Sequence, residues 1–292
     1  MIDLDIIDRL TGGRLGRHDV LCPLCGPYKS TRGQRRKVLR VWRIEAGFAG
    51  FYCARCGEQG HVRDRYAPAP DPAKLAQARA EAAERARIAS AERLDKARWL
   101  WSQRKPMPGS IAERYLREKR GIRCPLPATL GFLPAHGDYP PSMIAAFGLA
   151  HEVEPGIIAI ADHAVRGVHL TRLLPDGSDR ERGDHAKIMV GMSAGFPIVL
   201  APPNDLLGMS AVEGIEDGLT IHEATGLGVW VAGSASRMPA LADAVPDWID
   251  AVTVSVDDDV DGRRHAGTLI DRLQSRGIEV RRLIANKWRA AA

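Results

Sequence analysis

The sequence has no run of apolar residues long enough to span a membrane, although 45% of its 292 residues are hydrophobic. The N-terminal stretch MIDLDIIDRLTGG carries aspartates where a signal peptide would carry lysine or arginine. These two absences argue against an integral membrane protein and against a secreted protein. They predict a chain that stays in the cytoplasm.

Charge is distributed unevenly along the chain, whose formal net charge is +5. Residues 1–66 carry 13 Lys and Arg against 7 Asp and Glu, whereas residues 205–292 carry 9 against 14. A basic segment attracts polyanions such as nucleic acid, and an acidic segment suits bound divalent cations. Ordinary surface charge would give the same totals, so it stays an alternative on charge alone. The length allows two or three domains.

Four of the five cysteines form two CxxCG pairs, Cys22 with Cys25 and Cys53 with Cys56, while Cys124 stands alone. In a cytosolic chain such pairs indicate metal binding rather than a disulfide, and two of them supply four thiolates for one tetrahedral ion. The segment between them alternates apolar and basic residues around a predicted turn at positions 47–50, which is typical of a β-hairpin. The pattern predicts a zinc ribbon with one structural Zn²⁺. A redox dithiol pair and a rubredoxin-like iron site are the alternatives.

Basic and aromatic residues are interleaved between the two cysteine pairs. The cations proposed to contact nucleic acid are Lys29, Arg32, Arg35, Arg36, Lys37, Arg40 and Arg43. Cations can follow a phosphate backbone, and aromatic rings such as Trp42 can stack on unpaired bases. The alternative for Trp42 and Tyr52 is that they form the small core of the ribbon.

The chain as a whole is predicted to be an α/β protein of four segments. These are a zinc ribbon at 1–66, a Pro-rich spacer and helical connector at 67–122, a basic mixed α/β module at 123–204, and a Rossmann-like four-stranded parallel domain at 205–292. The connector should contain one helix of about 30 residues, because it is rich in Ala, Arg and Glu. A second helix should follow within 110–122, capped by Ser110. In the basic module, Arg172 and Lys187 lie on predicted strands, where they could line a groove.

The C-terminal segment alternates strands with helices, which implies parallel strands and right-handed crossovers. Ligands bind such sheets beyond the carboxyl ends of the strands. Glu213 ends the first predicted strand, and Asp257, Asp258 and Asp259 follow the third. If these two strands are neighbours, the acids meet in one crevice.

The aspartates of VSVDDDVDG should have different roles. Period-2 alternation predicts that Asp257 and Asp259 project to one side of the strand and Asp258 to the other. Crowded carboxylates repel one another unless a cation neutralises them, and Mg²⁺ prefers such oxygen ligands. Asp261 is predicted to cap a helix that begins at Gly262. A solvated acidic loop is the alternative.

The residues around Glu213 and around the aspartates resemble the motifs of a known domain. AVEGIEDGL together with VSVDDDVDG resembles the Toprim domain, whose pattern is EGxxD after one strand and DxDxxG after a later strand. The matching residues are Glu213, Gly214, Asp217, Asp257, Asp259 and Gly262. The order of zinc ribbon, charged connector, basic module and Toprim resembles that of bacteriophage and plasmid DNA primases of the DnaG-like type.

The resemblance implies synthesis of short RNA primers on single-stranded DNA from ribonucleoside triphosphates. It implies two Mg²⁺ or Mn²⁺ ions held by Glu213, Asp217, Asp257 and Asp259. Within that set, Glu213, Asp257 and Asp259 are the expected catalytic residues. The chemistry is consistent, because attack of a ribose hydroxyl on an α-phosphate requires charge neutralisation.

The chain departs from the family pattern in two places. Related primases often carry a further acid after the last strand, and here IEVRRLIANKWRAAA ends without one. The zinc shell has four cysteines rather than Cys/His ligands. No GxxxxGK(S/T) motif is present, so any replicative helicase should be a separate protein. The alternatives to a primase are a Toprim nuclease and a non-catalytic protein that binds single-stranded DNA through the ribbon.

Overall fold

The computed structural model describes residues 2–28, 31–64, 72–183 and 185–284. The chain divides into two compact units, Met1–Glu81 and Ala82–Ala292. The first unit contains an antiparallel sheet, and the second contains further sheets, one of them mostly parallel. This arrangement confirms the predicted α/β class.

The first unit folds around one antiparallel sheet. Its elements are α1 (Leu4–Thr11), β1 (Gly16–Val20), α2 (Thr31–Gln34), β2 (Leu39–Glu45), β3 (Phe48–Cys53) and β4 (Gln59–Arg63). The strands lie in the order β1-β2-β3-β4, and β2 and β3 form the predicted hairpin, with its turn at Ala46 and Gly47. Alternation along β2 buries Leu39 and Val41 against Ile7 of α1.

Two helical segments follow. The predicted long helix is α3 (Pro72–Ser102), which has 31 residues. The predicted second helix begins as α4 (Ile111–Arg114) and continues as a π-helical turn, Tyr115–Lys119. Ser110 is its N-cap, since the Ser110 hydroxyl accepts a hydrogen bond of 3.1 Å from the backbone N–H of Glu113. Among the described residues, no helix is both long and apolar enough to cross a membrane.

The middle of the chain forms a second antiparallel sheet and a small hairpin. The sheet strands are β5 (Leu130–Leu133), β6 (Ser142–Phe147), β9 (Gly167–Arg172) and β10 (Lys187–Gly191), and the hairpin strands are β7 (His151–Glu154) and β8 (Ile157–Ala159). The sheet order is β10-β9-β6-β5. Lys187 of β10 therefore lies beside Thr171 of β9.

The last part of the chain forms a five-stranded sheet. Its elements are β11 (Ile198–Ala201), β12 (Gly208–Val212), α5 (Ile215–Thr225), β13 (Gly228–Val231), β14 (Ala251–Val256), α6 (Val260–Ser275) and β15 (Glu279–Ile284). The order is β11-β13-β12-β14-β15, and β12 to β15 are parallel, which agrees with the predicted four-stranded parallel sheet. The sequence predicted that residues 198–201 belong to the basic module at 123–204. In the structure, β11 instead pairs antiparallel with β13 and adds an edge strand to the five-stranded sheet. The helical segment between β13 and β14 is a 3₁₀ helix, Ala235–Asp243, which contains Pro239.

Both faces of this sheet are buried, as expected for parallel strands. On one face, Val252 and Val254 of β14 belong to the same hydrophobic cluster as Leu269 and Leu273 of α6. On the other face, β12 and β13 share a cluster with Leu219 of α5 and with the Tyr115 side chain. The π-helical turn thus lies on the α5 side of the sheet.

Candidate metal centres and nucleic-acid interface

The four paired cysteines meet at one point of the first unit. The Sγ atoms of Cys22 and Cys56 are 3.9 Å apart, and those of Cys25 and Cys53 are 3.8 Å apart. Four sulfurs bound tetrahedrally to zinc at about 2.3 Å lie roughly 3.8 Å from one another, so the spacing fits a Zn²⁺ ion. Burial and the neighbouring thiols raise the pKa of the Cys25 thiol to about 12.

Glycines close the two cysteine turns for steric and conformational reasons. The backbone N–H of Gly26 donates to the Cys22 carbonyl at 2.9 Å, and a Cβ at Gly26 would lie 2.5 Å from that carbonyl oxygen. Gly57 donates to the Cys53 carbonyl at 3.0 Å and has φ +74°, a conformation that favours glycine. Both turns therefore require the glycine of CxxCG.

The outward face of the ribbon sheet carries aromatic and basic side chains together. Trp42 is 41% exposed and Tyr52 is 43% exposed, and neither belongs to the core cluster of this unit. This excludes the alternative that these two rings form the ribbon core. Arg40 lies opposite Tyr52 in the sheet and forms an ion pair of 2.7 Å with Asp19. Phe48 stacks on His61 on the neighbouring strand, with ring centroids 5.8 Å apart.

The other predicted cations occupy different environments. Arg35, Arg36 and Lys37 are exposed between α2 and β2. Arg43 points inward, where its side chain is 4% exposed and donates to the Asp8 carboxylate and the Ala46 carbonyl, so it does not face this surface. Lys29 and the side chain of Arg32 lie outside the described residues.

The acids at the end of the sheet come together as the topology requires. Strands β12 and β14 are parallel neighbours, so Glu213 and Asp257 leave the sheet at the same edge. Burial raises the pKa of Glu213, Asp257 raises it further, and Asp259 adds a smaller effect in the same direction. The three carboxylates therefore act on one another across this edge. The four cysteines are the one set of potential metal ligands among the described residues whose ligand atoms all lie within 4.8 Å of one another. The three carboxylates are farther apart than that.

The aspartates after β14 have different surroundings. Asp257 is half-buried, whereas Asp258 is exposed and pairs with Arg263. Asp259 is the N-cap of α6, and its carboxylate accepts a 2.6 Å hydrogen bond from the Gly262 N–H. The prediction that Asp261 caps this helix is wrong, because the helix begins at Val260 rather than at Gly262.

Comparison with known families identifies this region. A family model described as the Toprim domain matches residues 208–288. Residues 208–288 are a Toprim domain. A model described as a domain of unknown function, DUF7146, matches residues 91–200. The four-cysteine site and the Toprim domain together give the chain the domain content of a DnaG-like primase with a zinc ribbon.

One solved structure is similar over most of the chain. It is the crystal structure of the Aquifex aeolicus primase, comprising its zinc-binding and RNA polymerase domains. The identity is 16%, the match covers 97% of this chain and 77% of that chain, and the TM-score is 0.42. No curated protein matches this chain.

Close packing explains the glycines of the two Toprim motifs. A Cβ at Gly214 would lie 3.2 Å from the Asp217 carboxylate, so this glycine leaves room for an acid in the first turn of α5. A Cβ at Gly262 would lie 2.7 Å from the Asp257 carbonyl oxygen and 3.1 Å from the Asp259 carboxylate. A side chain at Gly262 would therefore displace two of the proposed metal ligands.

Of the two basic residues predicted on the middle sheet, Lys187 reaches the acidic edge of the Toprim domain, whereas Arg172 contacts an acid within its own module. Lys187 Nζ lies 3.6 Å from a carboxylate oxygen of Glu216, and Lys187 also lowers the pKa of Glu213. Arg172 has a looser contact, 3.9 Å, with Glu181. The sequence did not lead us to predict Glu216 as a site residue. Its position in the first turn of α5, three residues after Glu213, could have indicated it.

Substitutions at Asp259 should test its role as the cap of α6. Asp259→Ala should lower the free energy of unfolding by about 1 kcal/mol, because it removes the cap of α6. Asp259→Asn should change it by only a few tenths of a kcal/mol, since asparagine also accepts the capping hydrogen bond. Urea denaturation of the zinc-loaded chain without added Mg²⁺ measures both, with Asp261→Ala as a control. Equal losses in the two Asp259 variants would contradict the assigned cap.

Proposed function

We propose that this chain is a DNA primase, a nucleotidyltransferase that synthesises short RNA primers on single-stranded DNA by metal-dependent chemistry. The observation that carries the proposal is the meeting of Glu213 and Asp257 at the carboxyl ends of adjacent parallel strands of a Toprim domain. The ribbon with its four cysteines and exposed aromatic face supports the same function.

The acidic edge has the donor set that Mg²⁺ or Mn²⁺ prefers. Glu213, Asp257, Asp259 and Asp217 would hold two such ions, since all four supply carboxylate oxygens. Burial first and repulsion from Asp257 second raise the pKa of Glu213, and a bound cation would relieve that repulsion. The bound ions would supply charge neutralisation at the attacking hydroxyl and at the α-phosphate.

The chain's own side chains position the reactants in this proposal. Lys187 lies beside the carboxylates and is placed to bind the triphosphate of an incoming ribonucleotide. Arg172, at the end of the neighbouring strand β9, projects to the other face of the sheet, because Lys187 pairs with Thr171. The backbone amide of Ala235 lowers the pKa of Glu213 and so favours its charged form.

Template binding is assigned to the ribbon. Trp42 and Tyr52 are exposed rings on which bases can stack, and Arg40 lies beside them to contact phosphates. The exposed Arg35, Arg36 and Lys37 extend the positive charge. We expect zinc to hold this surface together without taking part in the reaction. A separate replicative helicase is the expected protein partner.

Removing the basic cluster should weaken the salt dependence of DNA binding. Each phosphate contact to single strands contributes about 0.7 to the slope of log K against log salt concentration. The variant R35A/R36A/K37A should therefore lower that slope by roughly 2. The control R281A/R282A, on the edge strand β15, should change it by less than about 0.5. Fluorescence anisotropy with labelled single-stranded DNA measures the slopes, and an unchanged slope would move the site to the strands carrying Arg172 and Lys187.

Product analysis tests the proposed reaction against its alternatives. The zinc-loaded chain is incubated with single-stranded DNA, four ribonucleoside triphosphates and Mg²⁺ or Mn²⁺. New oligoribonucleotides are the expected result. Shortened DNA would identify a Toprim nuclease instead, and unchanged nucleotides with bound DNA would identify a non-catalytic binding protein.

A further inference from the structure

Glu216 lies beside the proposed catalytic acids without belonging to the Toprim motif. It is in the first turn of α5, and its side chain is only 12% exposed. One carboxylate oxygen lies 3.6 Å from Lys187 Nζ, and the other accepts a hydrogen bond of 2.8 Å from the Tyr115 hydroxyl. Arg120 Nε donates in turn to the Tyr115 oxygen at 2.9 Å. The Glu216 carboxylate is therefore held from two sides.

Glu216 is placed to be the counter-ion of Lys187. The ammonium group at 3.6 Å and the Tyr115 hydroxyl, which donates to Glu216 at 2.8 Å, both favour the charged carboxylate. Burial first and Lys187 second lower the pKa of His169 to about 4. His169 is thus neutral near pH 7 and adds no second positive charge beside Glu216. Glu216 is the carboxylate in ion-pair contact with Lys187.

The proposed metal ligands lie close to this ion pair. Glu213 follows β12 and precedes Glu216 by three residues, and Asp257 leaves the sheet at the same edge. An ammonium group on a flexible four-carbon stem can turn toward either acid. Without the charge on Glu216, attraction would draw Lys187 to the crowded carboxylates of Glu213 and Asp257. There it would provide the neutralisation that a divalent cation otherwise provides.

We propose that Glu216 is a positioning residue that holds Lys187 beside the metal-binding carboxylates and prevents it from pairing with them. This inference rests on the proposed function, which places metal ions on Glu213 and Asp257. In this arrangement Lys187 stays available to a triphosphate, and the carboxylates stay available to metal. Tyr115 and Arg120 hold Glu216 in place through the other carboxylate oxygen.

A double-mutant cycle on Mn²⁺ binding tests the proposal without relying on activity. Isothermal titration calorimetry of the full, zinc-loaded chain gives the Kd for Mn²⁺ in wild type, E216Q, K187M and E216Q/K187M. Glutamine has the shape of glutamate and can still accept from Tyr115, so the variant changes mainly the charge. E216Q should raise the Kd about tenfold in the presence of Lys187, a coupling typical of neighbouring charged groups. In the K187M background the same substitution should raise it less than about threefold.

The outcomes separate this proposal from the proposed function. An equal effect of E216Q in both backgrounds would mean simple loss of a distant negative charge and would overturn the positioning role. If E216Q folds poorly by circular dichroism, K187M alone decides. The affinity of K187M for Mn²⁺ should exceed that of the wild type by less than about threefold. A tenfold gain would show that Lys187 already pairs with Glu213 and Asp257 in the wild type. Absence of Mn²⁺ binding in the wild type as well as in D257N would overturn the metal site itself, and the positioning role with it.

Discussion

Asp257→Asn should abolish primer synthesis at every Mg²⁺ concentration, whereas Asp258→Asn should retain most of the activity. Asp257 is half-buried at the sheet edge and acts electrostatically on Glu213, so its carboxylate is placed to hold metal. Asp258 is exposed and pairs with Arg263 on the surface of α6. Loss of a carboxylate that binds a catalytic metal should cost at least about a hundredfold in rate.

Two further properties of the Asp257→Asn variant, its DNA binding and its thermal stability, can be predicted. Asp257→Asn should bind single-stranded DNA as well as the wild type does, because we propose that the ribbon carries that function. Its melting temperature without added Mg²⁺ should rise slightly, since the substitution removes repulsion toward Glu213. Fluorescence anisotropy and calorimetry measure these two properties. Equal losses of activity in the two aspartate variants would show that the ligands are misassigned.

Cys53→Ser should unfold the ribbon and remove the zinc. Structural zinc contributes about 10–16 kcal/mol of binding free energy in small zinc-finger peptides, more than a unit of this size can lose. The hydrophobic core of the first unit is small, and Cys53 itself is fully buried within it. Mass spectrometry of metal content should fall from one zinc per chain to none, and amide hydrogens in β2 and β3 should lose their protection from exchange. Binding of single-stranded DNA should be lost with the fold.

Cys124→Ser is the matched control for this experiment. Cys124 is half-buried in the second unit, with its sulfur 4.0 Å from the Leu219 carbonyl oxygen, and it is not part of the four-cysteine set. Its substitution should leave one zinc per chain and leave the exchange of β2 and β3 unchanged. A folded, protected ribbon in Cys53→Ser would contradict the structural role of the metal.

Some of the fold and site could be predicted because local sequence determines them. The two CxxCG turns carry their own steric requirement at Gly26 and Gly57, so spacing alone indicates the metal. The parallel sheet could be predicted because strands alternate with helices, and topology then brings Glu213 and Asp257 to one edge. In both cases the conformation or pairing of the backbone decides where the site residues lie.

Other features depend on side-chain contacts between distant residues, or on a boundary that shifts by two residues. Asp259 rather than Asp261 caps α6, since strand, turn and helix share only a few residues there. The pairing of Glu216 with Tyr115 joins residues 101 positions apart, and no local pattern indicates it. Arg43 is different, because alternation with Leu39 and Val41 on β2 already indicated an inward position.

Incorporation of labelled ribonucleotide tests the central claim most directly. The zinc-loaded chain is supplied with circular single-stranded DNA, four ribonucleoside triphosphates of which one carries an α-³²P label, and Mg²⁺ or Mn²⁺. Wild type should yield short labelled oligomers that alkali degrades, and Asp257→Asn should yield none while still binding the DNA. Absence of labelled oligomers from a wild-type chain that binds both DNA and Mn²⁺, or equal yields from the two proteins, would contradict primer synthesis at this Toprim edge.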